Sequence, residues 1–252
     1  MPLTITTLDQ RPDLTHEVDR LHELTWPRFV FYGHTPDESG SLWFPLLEQF
    51  SRFQIVVLDD TGTLIAAGHT IPFIWDGTVP GLPRGWAGTL LRGFDALRQR
   101  IRPTTLSALS MAVRPEHRGR GLATTVLLEM KKLAAKHELD CLLAPVRPSM
   151  KDRYPLTPIG RYVAWTGPDG LPFDPWIRSH WKIGARPLAV AYRSMVIVGS
   201  VPEWESWTQM KFPDSGDYVV PGALVPVRID RETGQGVYDE PNFWMRHPLA
   251  RS

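Results

Sequence analysis

Residues 110–137 read SMAVRPEHRGRGLATTVLLEMKKLAAKH, an apolar run, then glycines among arginines, then a helical pattern. The chemistry such a junction offers is anion binding. A helix that starts after glycines leaves its first N–H groups free and points the positive end of its dipole at whatever lies in front. Gly119 and Gly121 have no Cβ to hold a phosphate off the backbone, and Arg118 and Arg120 add charge beside it. Two common phosphate loops fail on the residues. A Walker loop needs a lysine where this chain, after Gly119, reads RGLATT. A dinucleotide fingerprint needs a third glycine where this chain has Thr124, and its acidic residue should follow the next strand, whereas Asp140 precedes it.

The pattern that fits is R-x-x-G-x-A, met by Arg118, Gly121 and Ala123 between LSMAVRPEH and a helix. It resembles the acyl-CoA signature of the GCN5-related N-acetyltransferase (GNAT) superfamily, and the order of elements over roughly residues 3–200 is similar to that family's. The resemblance implies acetyl-CoA or another acyl-CoA as co-substrate and no metal. It places the pyrophosphate on the amides of Arg118, Gly119, Arg120, Gly121, Leu122, Ala123 and Thr124, and the pantetheine beside the strand ending at Met111 to Val113. The implied reaction is acyl transfer to a primary amine by direct attack in a ternary complex. A non-catalytic acyl-CoA sensor on the same fold is the alternative.

Acyl transfer needs donors for the tetrahedral oxyanion and a proton for the departing thiolate. By resemblance, backbone N–H groups near Met111 to Val113 serve the oxyanion. The family's acid is often the tyrosine of Y-x-x-x-G-F; here the stretch is HWKIGA, so His180 stands in the tyrosine position and Ala185 in that of the phenylalanine. His180 is therefore a candidate acid, and equally a residue that caps the end of its helix. Tyr192 is a lesser candidate. His69, in AAGHTIPF, is the candidate base on a strand bordering the acceptor site, with a structural role as its alternative. Glu116 and His117 read as solvated. Neither H-E-x-x-H nor G-x-S-x-G occurs, which leaves zinc-protease and serine-hydrolase chemistry without support.

These residues need a sheet to position them. LTITTL alternates like a strand, Leu14, Val18, Leu21 and Leu24 recur at helical spacing, SLWFPLLEQF reads as a second helix, and DDTG joins two β-rich runs. A Gly/Pro-rich loop and the amphipathic stretch WAGTLLRGFDALRQRI form a helical insertion over about 76–103. TLSALSMAV, the helix of the junction and LDCLLAPV then make a β-α-β unit with a parallel pair. Asp174 and Pro175 open a helix that Gly184 ends, and PLAVAYRSMVIV returns as a strand. The expectation is an α/β fold, a mixed central sheet with helices on both faces. An acyl-CoA-binding domain spans 1–200, and 201–252 is an aromatic, proline-rich C-terminal extension packed on it, with ALVPVRI as its one clear strand.

Composition bounds the partners. Among 252 residues, 28 basic and 27 acidic side chains give a formal charge of +1, so no bulk field steers the chain to nucleic acid or an anionic membrane. The lone cysteine, Cys141, excludes an internal disulfide and favours a reducing compartment. The N-terminal residues lack a signal-peptide pattern, and no apolar run is long enough to span a bilayer, which reads as cytoplasmic. The insertion and the aromatics Trp204, Trp207, Tyr238, Phe243 and Trp244 bias the acceptor towards a small molecule by narrowing the groove, with core or a homodimer surface as their other uses. Asp239 and Glu240 are candidates to bind an acceptor ammonium, or else to pair locally with Arg246.

Overall fold

A computed structural model describes residues 2–249. In chain order the elements are β1 (Thr4–Thr7), α1 (Thr15–Thr25), α2 (Arg28–Phe31), α3 (Trp43–Gln49), β2 (Gln54–Leu58), β3 (Leu64–Phe73), α4 (Trp86–Arg98), β4 (Thr105–Val113), α5 (Leu122–Lys136), β5 (Cys141–Val146), α6 (Ile159–Tyr162), α7 (Pro175–Lys182), β6 (Arg186–Ser200), α8 (Val201–Thr208), β7 (Gly216–Tyr218), β8 (Val227–Asp230) and β9 (Gln235–Pro248). Local chemistry sets several ends. The Asp174 carboxylate accepts from the amides of Trp176 and Ile177, and Gly184 ends α7 at φ +96°. Ser200 and Glu203 form a capping box at α8.

The strands form one mixed sheet in the order β1-β2-β3-β4-β5-β9-β8-β7, with β6 on β9. The pairs are antiparallel except β4 with β5, the parallel pair that the β-α-β reading requires. Helices cover both faces. A Cβ at Gly68 of β3 would run into Val126 and Met130 of α5, whereas one at Gly93 of α4 would run into Ile71. Residues 68 and 71 of one strand face opposite sides, so α5 and α4 pack on opposite faces. α1 lies with α4, packing Val18 and Leu21 near Ala67. α7 lies beside α5, its Ile177 against Ala144, Val146 and Met245, with Lys131 donating to the Ile183 carbonyl.

The residues after 200 depart from expectation. They do not sit outside a finished sheet: β9 runs between β5 and β6, pairing Cys141 to Val146 on one side and Arg186 to Ser200 on the other. The stretch reads as loop because it holds Pro241, Asp239, Glu240 and Arg246. The proline is tolerated because Ala191 pairs with Asn242 and Met195 with Glu240, which places Pro241 opposite an irregularity in β6, where no ladder bond is lost. ALVPVRI forms a strand only from Val227 onward.

Candidate active site

The parallel ladder between β4 and β5 is short, Leu106 with Leu142 and Ser107 with Leu143. Next to it β4 carries a bulge. His69 pairs with Ser110 and Thr70 with Ala108, so Leu109 is an extra residue that bends the strand. The Trp86 indole N–H holds the bulge by donating to the Leu109 carbonyl at 3.0 Å. Beyond Ser107 the two strands part, and a cavity of about 760 Å³ opens between them. Its walls come from both faces of the sheet. On the α5 side they include Arg118, Ala123, Leu127, Met130, Trp176 and His180; on the α1 side, Asp19, Trp26, Trp43, Trp86, Arg147 and Glu240.

The α5 side presents an uncapped helix N-terminus at the cavity, an arrangement that suits an anion. Gly121 is the N-cap at φ +80° and supplies no side-chain cap, and Thr125 donates back to its carbonyl. The N–H groups of Leu122, Ala123 and Thr124 therefore precede the first helical bond. Gly119, at φ +76°, and Gly121 are exposed and would present a Cβ to open space, so nothing in the protein requires glycine there except the backbone conformation. Arg118 and Ala123 line the cavity, as do Met111 and Val113, while Arg120 is exposed. Leu122 sends its side chain into the core and can offer a ligand only its amide.

His180 lines the same cavity from α7 and is buried. Its ring does not cap helix carbonyls. Nδ1 lies 2.8 Å from Nε2 of His247 on β9, and Trp176 packs edge-on at 4.5 Å. His180 Nε2 and His247 Nδ1 have no partner. Burial pushes the His180 imidazolium well down and that of His247 to about 3, so the pair is neutral at physiological pH.

The α1 side is aromatic and acidic. The rings of Trp26 and Trp43 meet at 5.1 Å and those of Trp43 and Trp86 at 6.1 Å. Glu240 accepts from Arg147 Nε at 2.9 Å and from the Tyr238 hydroxyl at 3.1 Å, while Arg147 Nη2 donates to the Gly222 carbonyl. Asp19 Oδ1 is buried and unpaired, and burial, helped by the charge of Glu23, pushes its carboxyl up. The Ser194 hydroxyl ties this wall to α4, accepting from the Trp86 amide and donating to Asn242.

Several expected residues lie away from the cavity or take other partners. His69 does not line the cavity: it is fully buried, its Nδ1 3.0 Å from the Gln54 amide oxygen and its ring 4.8 Å from that of His22. Tyr192 is exposed and lines no part of the cavity. Asp239 pairs with Arg193, and Glu240 with Arg147 instead of Arg246, which lies over the Trp75 ring. Trp204, Tyr238 and Trp244 are core residues. The sequence reading missed Asp19, Arg147, Trp176, His247 and the tryptophans of the α1 side. For Arg147 a signal was present, a cation closing the buried run LLAPV. Among the described residues no group of three or more His, Cys, Asp or Glu could hold a metal ion, and no helix is long and apolar enough to cross a membrane.

Residues 18–153 match the profile of the Acetyltransferase (GNAT) family. Arginine N-acetyltransferase avaD of Aspergillus versicolor is 30% identical over 277 residues, covering 98% of this chain and 94% of that protein. Among solved structures, the loading GNATL domain of CurA from Lyngbya majuscula superposes with a TM-score of 0.61 at 12% identity, over 98% of both chains. The GphF GNAT-like decarboxylase, solved with isobutyryl-CoA, does so at 0.58 and 15%, over 99% of this chain and 100% of that one.

Proposed function

Since this chain belongs to the GNAT acetyltransferase family and moves an acyl group from acyl-CoA to an amine, we propose that its acceptor is a small cationic amine of the arginine type. The observation that carries this reading is the α1-side wall, where the Asp19 carboxylate, unpaired at Oδ1, faces a cavity walled by Trp26, Trp43 and Trp86, with Glu240 on the same wall held by Arg147. Carboxylates attract a guanidinium or ammonium group, and indole faces add cation–π attraction of about 0.5–2 kcal/mol. The name of the Aspergillus relative supports the same class.

In this reading acyl-CoA lies on the α5 side, with its pyrophosphate on the amides of residues 118–124, and its thioester reaches through the gap between β4 and β5. The acceptor nitrogen attacks the thioester carbon, the C–N bond forms, the C–S bond breaks, and the proton lost by nitrogen is the one that sulfur receives. His180 carries that proton. Its resting neutrality leaves it able to accept one, and its position in the cavity lining supports this role. The test is thiol release from acetyl-CoA against arginine, its decarboxylated analogue, lysine, a polyamine and an arylethylamine. Turnover concentrated on the guanidino and diamino compounds is expected; turnover on the arylethylamine alone would sink the cationic assignment.

A further inference from the structure

We propose that His247 is a positioning residue for acyl transfer, holding the His180 ring so that its free nitrogen, Nε2, serves the reaction. This rests on the reading of His180 as the proton carrier and adds a residue 67 positions away in sequence. Their contact uses His180 Nδ1 and His247 Nε2, at 2.8 Å, and leaves His180 Nε2 as the one nitrogen of that ring without a partner. A neutral imidazole has one donor and one acceptor nitrogen, so a bond to Nδ1 both pins the ring against rotation and decides what Nε2 can do.

Packing alone does not account for the pair. Both rings are buried, and the outer nitrogens, His180 Nε2 and His247 Nδ1, find no partner in the protein. Burying such groups unpaired costs stability, and two apolar side chains of similar volume would fill the space without that cost. The surroundings also keep the pair uncharged at rest. The cation next to it is Lys131 of α5, whose Nζ donates to the Ile183 carbonyl and whose charge opposes protonation of His247. A proton taken from the acceptor nitrogen onto His180 Nε2 is therefore held only in passing. His247 Nε2 accepts from the Nδ1–H of the imidazolium that forms, and the proton leaves Nε2 for the CoA sulfur as the C–S bond breaks. Both histidines end as they began.

The experiment compares His180→Ala, His247→Leu, His247→Gln and the double variant His180→Ala/His247→Leu. CoA thiol release from acetyl-CoA is measured with arginine and with water alone as acceptor, and CoA titration reports folding of each variant. His247→Leu should lower kcat about 10- to 100-fold with KM for acetyl-CoA unchanged within about twofold. Gln, whose amide can bond His180 Nδ1 in either tautomer, should stay within about fivefold of the wild type. The double variant should match His180→Ala, because a residue that acts through another has nothing left to orient. Wild-type kcat in His247→Leu, or a double-variant loss equal to the product of the single losses, would overturn the proposal. Failure of His247→Gln to restore turnover while binding CoA normally would do the same. Wild-type kcat in His180→Ala would instead remove the reading beneath it.

Discussion

Replacing Gly121 by alanine isolates the anion site from the fold. Gly121 is at φ +80° and ψ 0°, and a Cβ built on it meets no atom within 4 Å. The structural cost is therefore backbone strain alone. A left-handed conformation costs an L residue about 1–2 kcal/mol, partly offset by the smaller freedom of alanine in the unfolded chain, so the net loss is about 1 kcal/mol. In a domain of this size that lowers Tm by about 2–4 °C. The new methyl group stands where a phosphate must lie to reach the amides of Leu122 to Thr124. Losing one charge-assisted bond of about 1.5–3 kcal/mol should weaken CoA binding about 10- to 100-fold. Gly62 supplies the control. It sits at φ +82° in the β2–β3 turn, also with nothing within 4 Å, so Gly62→Ala should show the same fall in Tm and an unchanged Kd. Calorimetric titration with CoA and thermal unfolding of both variants decide the matter. A folded Gly121→Ala that binds CoA within twofold of the wild type would refute the assignment of the pyrophosphate to this helix.

Arg118→Ala should raise KM for acetyl-CoA about tenfold with little change in kcat, because a phosphate contact is made equally in ground and transition states; steady-state kinetics check it. Asp19→Asn should raise KM for arginine about tenfold while leaving CoA affinity unchanged, as titration of each substrate would show. Acid should unfold the protein early. His22, His69, His180 and His247 are buried, and burial holds all four imidazoles below their usual value of 6.5. Below pH 6.5 the unfolded chain binds protons that the native state refuses. Stability is thus fully present above 6.5 and falls by up to about 1.4 kcal/mol per pH unit for each histidine, towards pH 3 for His22 and His247. Urea midpoints between pH 7.5 and 5 should drop steeply; a flat profile would refute the neutral-histidine assignment.

What the sequence made legible was local. Glycines 119 and 121, the first turn of α5 and the β-α-β unit around it depend on neighbours within about thirty residues, and the α5 side of the cavity follows from them. Asp174 likewise caps α7 from its own sequence position. The α1 side of the cavity was legible only in Glu240, because its parts meet only through tertiary structure. Asp19, Trp86, Arg147 and Glu240 come from α1, α4, the end of β5 and β9, and no spacing rule links them. His69 shows the same limit from the other direction. An isolated histidine on a strand reads as a candidate base or a structural residue, and only the structure shows Gln54 on β2 and His22 on α1 packed around it.

The strand that escaped the sequence reading is also the one that joins the two halves of the site. Alternation along β9 places Glu240, Asn242 and Trp244 on the α1 side of the sheet and Phe243, Met245 and His247 on the α7 side. One strand thus supplies the α1-side wall of the cavity with a carboxylate and His180 with its partner. A slip of one residue would exchange the two sets, so the site depends on register. Pro241, which has no N–H to give a ladder, lies opposite the irregularity between Ala191 and Met195 of β6 and so suits this register. Removing the chain after residue 200 would therefore take away the strand between β5 and β6, together with Glu240 and His247, and would not merely trim a tail. The loss should appear as an unfolded protein before it appears as lost turnover, and far-ultraviolet circular dichroism of a chain ending at Ser200 would show it; a native-like spectrum would mean that the sheet does not need β9.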